Sequence, residues 1–312
     1  MQFKKPKFWK YIKPNFLSKI LKPFTSIIIL NNFFLDLKKK KKFSQIKSIC
    51  VGNIYLGGTG KTPLTIKLFN IFNDNNIKTV TAKKNYKNQI DEQIILKKKT
   101  KLIVANNRLN AIKNAIDNSY EVIIFDDGLQ DSQIDYDLKF ICFKVKSWIG
   151  NGQLIPAGPL REKLQSLKKY DAVFLNGEIN DSKDIEKIIY SINSKIKIFY
   201  TYYEPKNLKE IDLERNYLIF SGIGEPGDFK EILLKNKFKI SKEIIYPDHY
   251  KYSKNDIEEI IKQAKLINAG IITTEKDYIK IFENFKKEIN CLEVELKVYE
   301  EKNLKNFITI NK

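Results

Sequence analysis

The sequence predicts an α/β protein. It would have a mostly parallel sheet covered by helices and carrying a phosphate-binding loop (P-loop), a second, smaller α/β domain, and an N-terminal interfacial helix. Three observations predict this. From residue 46 onward, apolar runs of strand length alternate with stretches of helical periodicity, the order that places parallel strands between two helical layers. The segment Tyr55-Leu56-Gly57-Gly58-Thr59-Gly60-Lys61-Thr62 directly follows the first such run and opens the first such helix. After Tyr203-Glu204-Pro205-Lys206-Asn207 the alternation starts again.

Residues 1–42 stand apart from the rest. Lys4, Lys5, Lys7, Lys10 and Lys13 alternate with Phe3, Phe8, Trp9 and Tyr11; an apolar stretch from Phe24 to Leu37 follows, then a lysine run from Lys38 to Lys42. Thr25, Ser26, Asn31, Asn32 and Asp36 interrupt the stretch, and its longest clean run is Ile27 to Leu30. A spanning helix needs ~20 mostly apolar residues, so a crossing is not expected. No small-residue cleavage site follows, which argues against a secretory leader. The expectation is an amphipathic element at a membrane interface with its lysines facing anionic headgroups. The alternative is a helix packed on the body of the protein.

The core expected over 43–205 has strands at 46–51, 78–82, 101–104, 121–125, 138–143, 171–175 and 196–200, with helices at 63–72 and 109–116. The smaller domain, 206–312, has a strand at 217–221 and a turn at 222–227 leading into a helix. A helix at 256–267, a strand at 271–273 and a helix from Lys276 follow. Cys50 and Cys142 sit in apolar runs and no CxxC pair exists, so buried thiols in a reducing compartment are expected rather than a disulfide or zinc site. The net charge of +19 invites phosphates, nucleic acid or an anionic membrane, but Lys, Asn and Ile are jointly over-used, so charge alone identifies no partner. No RRM, KH or zinc-finger signature appears, so no nucleic acid is expected. No protein partner is indicated.

The chemistry begins in the loop. Gly57, Gly58 and Gly60 let backbone N–H groups curl around phosphate oxygens, and the helix that follows adds its positive end. Lys61 reaches the β- and γ-phosphates and Thr62 is a ligand for Mg²⁺. Tyr55 stands where the usual motif has a first glycine. Phe125-Asp126-Asp127-Gly128 ends a hydrophobic strand, where a carboxylate sits beside the loop and holds Mg²⁺ directly or through water; Asp126 and Asp127 are both candidates. Gly150 to Glu162 is a shaped Gly/Pro-rich loop in which Arg161 is placed to neutralise a transferring phosphoryl group and Glu162 to assist a metal. A regulatory GTPase or transport ATPase is the competing reading. Guanine specificity would call for Asn-Lys-x-Asp, which is missing; Thr274-Glu275-Lys276-Asp277 has the wrong spacing.

Together these motifs resemble the tetraacyldisaccharide 4'-kinases of lipid A biosynthesis. The matching segments are VGNIYLGGTGKTP (51–63), DDGLQ (126–130), GNGQLIPAGPLRE (150–162), FSGIGEPGDF (220–229), DHY (248–250) and TTEKD (273–277), in the family's order. The resemblance implies MgATP-dependent phosphorylation of the 4'-hydroxyl of a tetraacylated glucosamine disaccharide 1-phosphate at the cytoplasmic face of the inner membrane. It also implies an N-terminal membrane-associating helix and an Asp–His general base. The aspartate of the family's Gly-Asp-Glu-Pro corresponds to Asp91 in Ile90-Asp91-Glu92-Gln93, and the histidine to His249, the chain's only one. With Asp91 and His249 in different domains, the site is expected in a cleft that domain closure gates. Two motifs differ: the family's Ser-Arg-Gly-Tyr stands here as Lys83-Lys84-Asn85-Tyr86, and its His-Arg after DDGLQ as Asp131-Ser132.

Overall fold

Runs rich in Ile, Val and Phe suit a pleated, buried surface, and they form the strands of the computed structural model, which describes residues 6–86 and 90–310. Phe3, Lys4 and Lys5 of the basic N-terminal segment, and residues 87–89 before Asp91, lie outside the described residues. The strands are Lys47–Gly52 (β1), Thr79–Lys84 (β2), Leu102–Ala105 (β3), Val122–Asp126 (β4), Leu138–Lys144 (β5) and Ala172–Asn176 (β6). Then come Lys197–Pro205 (β7), Asn216–Ser221 (β8), Lys239–Ile245 (β9), Gly270–Thr274 (β10), Asn290–Leu292 (β11) and Val294–Val298 (β12).

One sheet has eight strands in the order β12-β7-β6-β5-β1-β4-β2-β3, and the other has four in the order β11-β10-β8-β9. β1 runs parallel to both β4 and β5, with Val51 opposite Asp126 and Gly52 opposite Ile141. This register sets the acidic end of β4 beside the strand that feeds the phosphate loop, at the point where strand order changes direction and α/β sheets bind ligands. The β2–β4, β2–β3, β5–β6 and β6–β7 pairs are also parallel. Buried clusters lie on its faces: Ile54, Ile141, Phe143, Val173 and Leu175 belong to one, Cys50, Val80, Ile112, Ile123 and Phe125 to the other.

The chain divides into two compact units. Among the described residues, the larger comprises 6–85, 96–202 and 296–310, and the smaller 86, 90–95 and 203–295. This departs in two places from a linear boundary at 205. The last helix, Glu301–Ile310, returns to the larger unit because Leu304, Phe307 and Ile308 share one face. Phe307 packs against Phe140 and Phe199, and Glu301 pairs with Lys67 at 2.6 Å. The second departure matters for the chemistry: Tyr86 and residues 90–95, with Asp91, belong to the unit of His249. The two residues therefore share one unit rather than facing each other from different domains.

At the N-terminus the helical stretch begins at Phe16 rather than Phe24. Helix Phe16–Leu21, the 3₁₀ turn Lys22–Phe24 and helix Thr25–Leu37 run on continuously because Pro23 falls at the start of a turn, where its missing N–H costs nothing. The resulting 22 residues are long and apolar enough to cross a membrane by length and composition. Of the two expectations for this segment, packing on the body of the protein is seen along one edge. One polar edge is docked on the Gly150–Glu162 loop: Asn151 Nδ2 donates to Ser18 Oγ at 2.6 Å, Trp9 Nε1 to Pro156 O at 3.0 Å, and Asn32 Nδ2 to Arg161 O at 2.9 Å. The opposite face is apolar and open, with Phe16 75% and Ile27 66% exposed.

Candidate active site

In the larger unit the loop between β1 and helix Lys61–Asp74 is braced from within. Asn53 Nδ2 donates to Gly57 O at 3.0 Å and to Thr59 Oγ1 at 2.9 Å. Gly60 turns the chain into the helix with φ 92°, a conformation a side chain would resist. Gly58 has a different reason to be glycine: a Cβ there would meet no described atom of the chain within 4 Å. The space beside it is open, which a phosphate cradle requires. The Gly150–Glu162 loop runs alongside, with Leu56 N donating to Pro159 O at 2.8 Å and Arg161 N to Ile54 O at 2.7 Å.

Asp126, at the end of β4, is buried. Its Oδ2 accepts from Thr62 Oγ1 at 2.9 Å and from Lys83 Nζ at 2.7 Å, whereas Oδ1 is buried with no hydrogen-bond partner among the described residues. An unpartnered buried carboxylate oxygen is costly unless a cation meets it. Together with the Thr62 hydroxyl it is the hard-oxygen set that suits Mg²⁺. Asp127 adopts a left-handed backbone (φ 61°) and turns to the cations instead: its carboxylate lies 3.8 Å from Lys61 Nζ and 3.4 Å from Arg161 Nη1. Arg108 holds the turn, bonding the Asp127 carbonyl and pairing with Asp131 at 2.7 Å.

Glu162 is hydrogen-bonded by two neighbours. Its oxygens accept from Gln130 Nε2 and Tyr170 OH, each at 3.0 Å, and Gln130 Nε2 also donates to Asn53 O at 3.0 Å. Burial, then the Glu162 charge, pushes the Tyr170 phenol well above its ordinary value, so it stays a donor. Asn53, Gln130 and Tyr170 were not singled out from sequence as members of the site, and Lys83 entered only within the segment that stands for the family's Ser-Arg-Gly-Tyr. A lysine closing a strand as buried as β2 was the available sign for Lys83, since an interior charge requires a partner.

In the smaller unit four of the segments named above converge. Asp91 opens helix Ile90–Lys99, where its Oδ1 accepts the Glu92 N–H at 2.9 Å. His249 (φ 59°) donates its backbone N–H to Gly222 O at 3.2 Å and sets Nδ1 2.9 Å from Asp91 Oδ2. An ionised carboxylate only accepts, so Nδ1 carries the proton of that bond. Burial works against the charge of Asp91, but the His249 hydrogen bond and the Lys276 ammonium outweigh it and hold the carboxyl below its ordinary value. Asp277, fully buried, accepts from Gly222 N at 2.9 Å, from Tyr252 OH at 3.0 Å and from Thr274 Oγ1 at 2.8 Å.

Comparison with known proteins identifies the family. The family model described as tetraacyldisaccharide-1-P 4'-kinase matches residues 17–311. A tetraacyldisaccharide 4'-kinase of Pelagibacter ubique is 50% identical over 308 residues, covering 98% of this chain and 97% of that one. One from Rickettsia bellii is 34% identical, covering 94% of each. The crystal structure of the "apo" form of LpxK from Aquifex aeolicus in complex with ATP superposes with a TM-score of 0.73 at 25% identity, covering 95% of this chain and 99% of that one. With the family model spanning nearly the whole chain and half of all positions shared with one member, the chain belongs to the tetraacyldisaccharide 4'-kinase family.

Proposed function

We propose that the chain transfers the γ-phosphoryl group of ATP to the 4'-hydroxyl of a tetraacylated glucosamine disaccharide 1-phosphate, yielding lipid IVA. The observation that carries the mechanism is the meeting of Asp91 and His249 from 158 positions apart, in a chain whose other unit holds a braced phosphate loop. A general base with its orienting partner is what a kinase for an alcohol needs and what a switch GTPase does not.

The loop N–H groups of 57–61 bind the β- and γ-phosphates, and Lys61 follows them. Thr62 Oγ1 and Asp126 Oδ1 would hold Mg²⁺, which when bound neutralises charge across the β- and γ-phosphates. Asp127 keeps Lys61 and Arg161 side by side, and Arg161 is released toward the phosphoryl oxygens as their charge develops. Glu162 serves indirectly by fixing Gln130, whose Oε1 lies 3.3 Å from Arg161 Nη1. On the acceptor side Asp91 takes the 4'-hydroxyl proton as the new O–P bond forms and the bond from the γ-phosphorus to the ADP oxygen breaks. His249 orients the carboxylate through Nδ1–H.

The open apolar face of Phe16–Leu37, followed by Lys38–Lys42, fits attachment to an anionic inner-membrane surface from the cytoplasmic side, where the lipid acceptor resides. The test of the activity is transfer of label from [γ-³²P]ATP to detergent-dispersed disaccharide 1-phosphate. Labelled lipid is expected in a Mg²⁺-dependent reaction, and its absence with the intact chain would overturn the assignment.

A further inference from the structure

Lys276 plays no part in the mechanism above, yet its side chain reaches every charged member of the acceptor-side group. The strand β10 ends at Thr274, whose hydroxyl caps the short helix Glu275–Tyr278 by accepting the Asp277 N–H. Asp277 is in turn bound to Gly222, the residue whose carbonyl receives the His249 backbone N–H. Lys276 is therefore anchored to the same loop that presents the histidine. Its Nζ lies 3.2 Å from Asp248 Oδ1, 3.5 Å from His249 Nε2, 3.6 Å from Asp91 Oδ2 and 3.8 Å from Glu92 Oε1.

An ammonium group has three donors and no acceptor. Toward His249 Nε2 it can only donate, so Nε2 must be bare and the imidazole proton must sit on Nδ1, facing Asp91. We propose that Lys276 is a positioning residue that fixes His249 as the Nδ1–H tautomer aimed at Asp91. The proposal rests on the reading of Asp91 as the base. If Nε2 held the proton instead, Nδ1 would present a lone pair to the carboxylate and the orienting bond would become a repulsion.

Among the described residues, the charged groups that face the pair are Glu92 from helix Ile90–Lys99, Asp248 from the loop after β9, and Lys276 itself. Two of these are acidic and disfavour a charged Asp91; Lys276 is the cation that offsets them. Burial opposes the lysine's own charge, but Asp248, Glu92 and Asp91 together raise its pKa, so it stays protonated and exchanges no proton in the reaction.

His249 is the only histidine, so a ¹⁵N-histidine label in the full chain, prepared in detergent micelles with no histidine tag, reports one imidazole. At a pH where the ring is neutral, the wild type is expected to show the proton on Nδ1, and Lys276→Met to shift the population toward Nε2–H, with Lys276→Arg keeping the wild-type pattern. An Nε2–H tautomer in the wild type, or an unchanged Nδ1–H tautomer in Lys276→Met, would overturn the proposal; the wild-type arm stands even if the variant does not fold. Kinetically, Lys276→Met is expected to lower kcat by about 10- to 100-fold with the KM for ATP unchanged. Removing the cation disfavours ionised Asp91, so the acid limb of kcat/KM is expected to move to higher pH; a limb that stays put counts against the proposal. Retained turnover in Asp91→Asn would sink the base assignment while leaving the tautomer result intact, so the two failures can be told apart.

Discussion

The two halves of the chemistry are built in opposite ways. The donor half in the larger unit is local: β1, its loop and the following helix occupy one stretch of chain, and the groups added to it are Asp126 and Asp127 from the neighbouring strand and Arg161 from the loop alongside. The acceptor half is assembled from residues far apart in sequence, Asp91, His249 and Lys276. In both, a non-glycine residue at the chemistry sits in left-handed backbone, Asp127 at φ 61° and His249 at φ 59°. Such a conformation costs energy unless its surroundings impose it. Asp127 is imposed on by Arg108 at its carbonyl and by Val51 at its N–H; His249 is held by Gly222. A donor site can thus be carried by one motif, whereas an acceptor site has to be folded together.

The sharpest way to break this comparison is to remove the acceptor base alone. Asp91→Asn is expected to lower kcat by about 10²- to 10⁴-fold while the KM for ATP stays within about twofold, because it alters proton transfer and not the phosphate loop. Comparable loss of ATP binding would show that the halves are not separable. The pH profile carries the same content. With the Asp91 carboxyl held below its ordinary value, the ionised base persists through neutral pH and is lost only as pH falls below the ordinary aspartate range.

On the donor side, Lys83→Met leaves the Asp126 carboxylate buried without its ion pair and is expected to cost about 3–5 kcal/mol of stability by denaturant unfolding. The double variant Lys83→Met/Asp126→Asn should recover much of it; no recovery would mean the lysine stabilises through packing. Mg²⁺ should raise the melting temperature of Lys83→Met more than that of the wild type, since the ion supplies the missing charge.

The legibility of the sequence follows the same division. The strand–loop–helix of residues 47–74 was readable because period, glycine placement and the Lys61-Thr62 pair are all local signals. The strand Lys239–Ile245, the helix Lys183–Ile192 and the return of Glu301–Ile310 to the core were not anticipated; what holds the last is burial against Phe140 and Phe199, far away along the chain. Asp91 and His249 were paired through family resemblance, and the placement of Asp91 with the smaller unit could not be read from local pattern. Glu162 and Lys83 show the limit at side-chain level. A carboxylate expected to assist a metal is bonded to Tyr170 and Gln130, and Lys83, read only as a departure from the family motif, pairs with Asp126.

Two smaller effects sharpen the picture away from the site. Ile27→Glu or Phe34→Glu, on the open face of the N-terminal helix, is expected to weaken binding to anionic vesicles about tenfold, roughly 1.4 kcal/mol, without altering nucleotide affinity. Unchanged vesicle binding would move the lipid contact elsewhere. Alkylation of the native protein should modify Cys291 and spare Cys50 and Cys142, which are buried; burial pushes the Cys50 thiol up to about 12 and raises Cys142 as well. Rapid labelling of either would show that the sheet opens.

The assignment of Asp91 to the smaller unit has one more consequence. Asp91 follows β2 in the chain and lies on a helix whose last residues, 96–99, belong to the larger unit, so its sequence is continuous with the donor machinery on both sides. A fragment spanning 203–295 would contain the histidine, its lysine and the buried Asp277 hub, yet lack the carboxylate they serve. The smaller unit is therefore not a transplantable cassette. Exchanging it between relatives would require moving two separated stretches of gene together, and selection on the acceptor chemistry acts on the chain as one piece.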